Sequence, residues 1–172
     1  PEGLIDPADL LDGHAQGGEV ALVAGAAVLL RSGQAHQAEL AHRYFTESLA
    51  VYRRLGDRLA EAAGLGNLAV LALRGCDYQG AHPYLTEALA LFRQIGDLRS
   101  ETITRNNLGV IAHQLGNERE AEQHFAQALR LAEQTADQQS QREAHSLLGH
   151  LLSDQARCDD ARTHYAAALT LA

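Results

Sequence analysis

The sequence predicts an all-α fold: an α-solenoid of four helix-turn-helix repeats, about eight antiparallel helices. Four observations predict it. The 172 residues are rich in Ala, Leu, Glu, Gln and Arg, the good helix formers, with only three prolines, at 1, 7 and 83. No alternating β-branched run of useful length competes with helix. The chain also repeats itself. Asp57, Asp97 and Asp137 stand 40 residues apart, as do Ala41, Ala81, Ala121 and Ala161, and Leu49, Leu89, Leu129 and Leu169. Finally, Gly and Asp punctuate the repeats at fixed places, where helices stop and start.

The elements follow in order. Residues 1–18 carry Pro7, Gly13, Gly17 and Gly18, which oppose a long helix, and read as an N-terminal linker or tail. Residues 19–172 form the repeat array, with repeats of about 19–56, 57–96, 97–136 and 137–172. Repeat one is atypical: Ala41 holds the 40-residue phase only if three extra residues enter near the start of its second helix. In repeat two, Gly56 suits a left-handed C-cap and Asp57 the N-cap of the next helix. Cys76-Asp77 marks its internal turn. Pro83 removes an N–H and clashes with the Gln79 carbonyl, so that helix is expected to start late or kink.

Repeat three is the clearest. Leu98, Ile103, Leu108, Ile111 and Leu115 form one apolar stripe, and Gly116-Asn117 breaks the helix. Asn117 with Glu120 has the spacing of a capping box. Ala121, Phe125, Ala128, Leu129 and Ala132 then line the second helix. Small residues Ala69, Gly109 and Gly149 let paired helices approach closely. In repeat four Ala156-Arg157 replaces the glycine turn, and the last helix leaves Tyr165 and Leu169 on an uncapped face.

The pattern Leu108-Gly109, Gly116, Ala121, Phe125 and Ala128 resembles the tetratricopeptide repeat family. The resemblance covers roughly residues 19 to 172 and implies a right-handed α-solenoid. Its 40-residue step is similar to the kinesin-light-chain-like branch and to repeats of large bacterial transcriptional regulators and ATP-dependent signalling proteins.

Composition excludes several functions. Asp and Glu total 22 against 14 basic residues, all Arg, for a net charge of −8. Nucleic acid and anionic membranes call for a basic face, so neither is an expected partner of this segment. No run of 18 uncharged apolar residues offers a membrane span. Two cysteines, Cys76 and Cys158, are too few for a disulfide framework and read as reduced thiols of a cytoplasmic protein. A chain opening on Pro1 is expected to be a piece of something longer.

Chemistry is sparse. Nine histidines include a single Glu-x-x-His, Glu39 to His42, and no His-Glu-x-x-His or Cys-x-x-Cys. His42 and His82 share a phase, as do His124 and His164; all four are expected on the surface of outer helices. No Gly-x-Ser-x-Gly elbow occurs, and a phosphate loop ending in Lys is impossible without Lys. The expectation is therefore no enzyme, no catalytic residue, no metal and no cofactor.

Binding is expected on the first helices, which line the concave side of such an array. The expected partner-contacting residues are Asn67, Val70 and Arg74 in repeat two, Asn106, Asn107, Val110, His113 and Gln114 in repeat three, and His150 in repeat four. Arg74 and Arg105 would add positive charge, Glu143 and Asp154 negative. The family resemblance implies that Asn67 and Asn107 bond the backbone of an extended peptide, a task a carboxamide suits because it both donates and accepts. The family's clamp for acidic C-termini also needs a basic residue one turn earlier, where Ala63 and Ile103 stand. The expected function is a protein- or peptide-binding module, the regulatory or assembly part of a larger bacterial regulator. The competing expectation is a homo-oligomer built through the C-terminal helix.

Overall fold

In the computed structural model, residues 35–171 are described. They form seven helices and, among the described residues, no strand. These are α1 (Ala35–Leu55), α2 (Arg58–Arg74), α3 (Tyr78–Ile95), α4 (Leu98–Gln114), α5 (Glu118–Gln134), α6 (Gln138–Asp154) and α7 (Cys158–Thr170). The expected tail, and the first helix of repeat one, lie outside the described residues. The fold is an all-α solenoid of helix-turn-helix repeats. The chain divides into two compact units, Pro1–Asp77 and Tyr78–Ala172, the first with α1 and α2 and the second with α3 to α7.

The 40-residue period contains a finer one. Helices α2 to α7 begin at Arg58, Tyr78, Leu98, Glu118, Gln138 and Cys158, one every 20 residues. Two residues before each start stands a left-handed residue: Gly56, Cys76, Gly96, Gly116, Ala136 and Ala156, with φ between +53° and +80°. Both turns of a repeat are therefore the same device. At the α3–α4 turn, Gly96 N–H donates to the Phe92 carbonyl at 2.9 Å and Asp97 N–H to the same oxygen at 3.1 Å. This closes the helix end as a left-handed cap does. Glycine takes the positive φ freely; Cys76, Ala136 and Ala156 bear its steric cost.

The starts differ by helix type. First helices are capped by Asp57, Asp97 and Asp137, whose carboxylates accept from Ala60, Ser100 and Ser140 N–H at 3.0–3.2 Å. Ser100 and Ser140 hydroxyls add a second bond to the same carboxylates. Second helices begin otherwise. Asn117 makes no cap bond, so the expected capping box does not form; its Nδ2 instead donates to Glu120 Oε2 at 3.4 Å. Glu118 and Glu120 there favour the positive helix end by charge. Pro83 does not delay α3, which begins five residues earlier at Tyr78 and keeps Pro83 on its exposed side.

Within each unit, taken by itself, the helices pack by small-against-large contact. In the first, Phe45, Leu49 and Tyr52 of α1 are buried, and Leu49 and Tyr52 lie 3.7 Å from where a Cβ on Gly64 would stand. In the second, Ala112, Ala121, Phe125, Leu148 and Leu151 form a core, with Val110, Leu129 and Leu147 packed on it. Phe125 occupies the space beside Gly109, and Tyr165 the space beside Gly149. Tyr165 thus turns back onto α6 rather than outward, contrary to the expectation, while Leu169 stays 76% exposed.

Each first helix is also tied to the second helix before it. Arg53 bonds Glu61 at 3.0 Å in the first unit, and Arg93 approaches Glu101 at 3.9 Å in the second. In repeat four the charges are replaced: Gln141 Nε2 donates to the Ala132 carbonyl at 3.1 Å.

Candidate functional site

In the second unit, the α4–α6 face gathers most of the expected binding residues. Helical spacing sets it out. Arg99, Asn106 and His113 recur every seven residues, two turns, on one side of α4. Two cross-helix pairs span the seam from that side: Arg99 Nε to Asp137 Oδ2 at 3.8 Å, and His113 Nε2 to Asp154 Oδ2 at 3.1 Å. Next to them on α4, Ile103 is 47% exposed, Asn107 and Val110 are half-buried, and Gln114 is exposed. On α6, His150 is exposed, and its Nδ1 meets the Tyr165 hydroxyl at 3.1 Å, the rings edge to face.

In the first unit, Asn67, Val70 and Arg74 lie on α2 at i, i+3 and i+7, one helix face. Val70 is 39% exposed, Arg74 is exposed and Asn67 is half-buried. The carboxamides of Asn67 and Asn107 form no side-chain hydrogen bond with the described residues, and both remain partly accessible.

Two groove residues do not face outward. Asn106 is 2% exposed, so it presents nothing to solvent. Arg105 is 9% exposed: it is held by the Glu101 carboxylate at 2.6–2.9 Å and bonds Gln127 of α5. Its charge is spent inside the repeat rather than in the groove. The Glu101–Arg105 spacing, one helical turn, was the sequence signal for this pairing.

The histidines also depart from expectation. His124 is half-buried, with its Nδ1 buried and unpartnered, and burial holds its pKa below the ordinary value. His145 of α6 and His164 of α7 meet Nδ1 to Nδ1 at 2.9 Å, ring centroids 5.1 Å apart. One ring therefore donates and the other accepts. Burial first, then the His145 ring, lowers the His164 pKa. His164 of this pair also lines a cleft of about 420 Å³ between α5 and α7, with Leu129, Leu148, Leu152 and Arg157. Arg157 is bonded there to Glu122 and Asp160, at 3.0 Å each. Among the described residues no group of three His, Cys, Asp or Glu could hold a metal, and no helix is long and apolar enough to cross a membrane. Cys76 and Cys158 are exposed free thiols.

The family model of the tetratricopeptide repeat matches residues 20–94 and 100–172, most of the chain. The chain belongs to the tetratricopeptide repeat family. Solved structures agree in fold. This tetratricopeptide array is similar to BtubC (BKLC) from P. vanneervenii, with a TM-score of 0.79, 18% identity and 98% of the chain covered. It is similar to the apo form of RapI, with a TM-score of 0.85, 13% identity and 95% coverage. It is also similar to a Rap protein complexed with competence and sporulation factor, with a TM-score of 0.77, 20% identity and 90% coverage. The chain spans 65%, 59% and 43% of those three proteins, less than two thirds of each. No curated protein matches it.

Proposed function

We propose that the chain is a protein-interaction scaffold whose α4–α6 face holds an extended segment of a protein or peptide partner. The observation that carries this is Asn107. Its carboxamide is half-buried and free of side-chain bonds to the described residues, with Ile103 and Val110 beside it. Such a group can pair with a peptide unit whatever its sequence, while apolar neighbours take a side chain. Asn67, at the same place in α2, offers the first unit the same chemistry. The Rap protein complexed with competence and sporulation factor supports a protein or peptide ligand, as a likeness of fold. The finer reading is the regulatory or assembly part of a larger bacterial regulator, acting in the cytoplasm. No catalytic role is proposed for this face.

The test needs a ligand, which selection of phage-displayed random peptides on the wild-type chain supplies. Asn107→Ala is then expected to weaken the selected peptides about tenfold, with thermal stability unchanged. Equal affinity for both chains removes the backbone-clamp reading.

A second reading rests on Leu169, the most exposed large apolar side chain described. Here a second copy covers α7. Sedimentation at several concentrations separates the two: a concentration-dependent dimer lost in Leu169→Glu supports self-association, and a monomer throughout removes it.

A further inference from the structure

Among the described residues of the second unit, Asn106 is a buried amide whose two polar atoms are both left unpaired. Asn106 is 2% exposed, and neither its Nδ2 nor its Oδ1 has a partner in the chain. An unpaired buried amide is destabilising, whereas an apolar side chain of similar shape in its place would not be. The repeat shows that the architecture does not require it. The same column holds Gly66 in repeat two and Ser146 in repeat four. Ser146 is satisfied within its own helix, donating to the Arg142 carbonyl at 3.0 Å. Only repeat three carries a two-sided hydrogen-bonding group there and leaves both sides unmade.

Its place is informative. Asn106 lies midway between Arg99 and His113 on α4, the two residues that reach across to Asp137 and Asp154. It is therefore in the α4–α6 seam, one residue from Asn107. His113 Nδ1, two turns along the same side, is likewise buried and unpartnered.

We infer that Asn106 is a specificity-determining contact of this face. Its carboxamide receives a partner group that both donates and accepts, a main-chain peptide unit or an Asn or Gln side chain. Two amides set face to face pair through two bonds, so this seam selects amide over carboxylate or ammonium. The partner reaches it by parting α4 from α6, and the His113–Asp154 pair opens in the same movement. The inference rests on the peptide-binding reading above.

The experiment uses the phage-selected peptides as probe, with calorimetric titration of wild type, Asn106→Leu, Asn106→Ser and Asn107→Ala. Asn106→Leu is expected to raise Tm by about 2–4 °C, since it removes an unmade amide. The same variant is expected to weaken the selected peptides about tenfold or more. Asn106→Ser installs the residue of repeat four, so it keeps the fold where Leu packs badly, and it is expected to weaken them as well. Affinity within about twofold of wild type in both Asn106 variants overturns the inference. So does a folded Asn106→Leu with lowered Tm and unchanged binding, which assigns the amide to the fold. The two readings fail separately. Loss of binding in the Asn106 variants but not in Asn107→Ala overturns the Asn107 clamp and supports the seam contact. Selection of no peptide at all overturns both.

Discussion

At the scale of single residues, the packing of a repeat is decided by one small side chain facing one large one. A Cβ on Gly109 would overlap the ring of Phe125, and one on Gly149 would stand 2.7 Å from Tyr165 Cε1. Two effects of Gly109→Ala oppose each other. Helix propensity gains about 1 kcal/mol. Overpacking a buried ring that has nowhere to move costs about 1–3 kcal/mol. Phe125 is 2% exposed, so the second effect wins, and Gly109→Ala is expected to lower unfolding stability by about 1 kcal/mol. Adding Phe125→Leu should recover part of that loss, because a leucine side chain fills less of the space beside Gly109 than the ring does. Chemical denaturation of the double-mutant cycle reads the coupling, and strict additivity would remove this account. The columns made this pairing legible in the sequence. Burial was less legible. Asn106 and Asn107 are adjacent and chemically identical, yet a 100° turn of the helix puts one in the seam and the other on the face. Spacing alone placed both outward, because the direction of the neighbouring helix is not written in the spacing.

At the scale of elements, the helices are cut by turns rather than by composition. Each left-handed residue stops a helix two positions before the next begins, and the aspartates then cap the first helices. The turns and the aspartate caps were readable; the equal 20-residue spacing of the helix starts was not drawn from them, because glycine stands at only three of the six left-handed positions, Gly56, Gly96 and Gly116, and Cys76, Ala136 and Ala156 hold the others. Charge adds a condition to this packing. His124 and His164, on the second helices, both have pKa values lowered from 6.5, first by burial. Their neighbours are mixed: Glu120, Arg105 and His82 act on His124, and His145, Asp160, Arg157 and Glu122 on His164. A lowered histidine pKa means the folded state binds the proton less well than the unfolded one. The stability this contributes is present above about 6.5 and is lost as pH falls through the lowered values. The denaturant midpoint is therefore expected to fall on acidification below about pH 6.5. His124→Leu should flatten that fall while changing the midpoint little near pH 8, where the ring is neutral in both states. Asp97 and Asp137 have pKa values lowered from 3.8, chiefly by bonds from Ser100 and Ser140. Their contribution disappears only in a second, more acid phase, below about 3.8, so the two windows are separable in one titration.

At the scale of the whole molecule, a repeat array holds together by neighbours, and this makes stability a local quantity. The period that reveals the array is written in the sequence because every repeat must present the same small and large residues to the next. Ala81, Ala121 and Ala161 are all buried for that reason. The function is less fully written, since a face that binds is free to differ from repeat to repeat: Asn107 becomes Leu147, and His113 becomes Ser153. Neighbour-by-neighbour stability gives the last prediction. Helix α6 packs against α5 and α7 and touches α4, whereas α7 packs chiefly against α6. Of the large side chains of α7, Tyr165 is anchored beside Gly149, while Leu169 is left in solvent. Opening α7 therefore breaks one helix interface and the Arg157–Glu122 pair, and opening α6 breaks several interfaces. Native-state hydrogen exchange of the chain should show the weakest protection in α7, declining from Tyr165 toward Thr170, and the strongest in α4 to α6. Protection in α7 equal to that in α5 and α6 would mean that the second unit opens as a single cooperative body, and would defeat this neighbour-by-neighbour account. Leu169→Gln discriminates further. It is expected to leave protection in α4 and α5 unchanged, because the energy of an array is carried by contacts between adjacent helices and this side chain makes few.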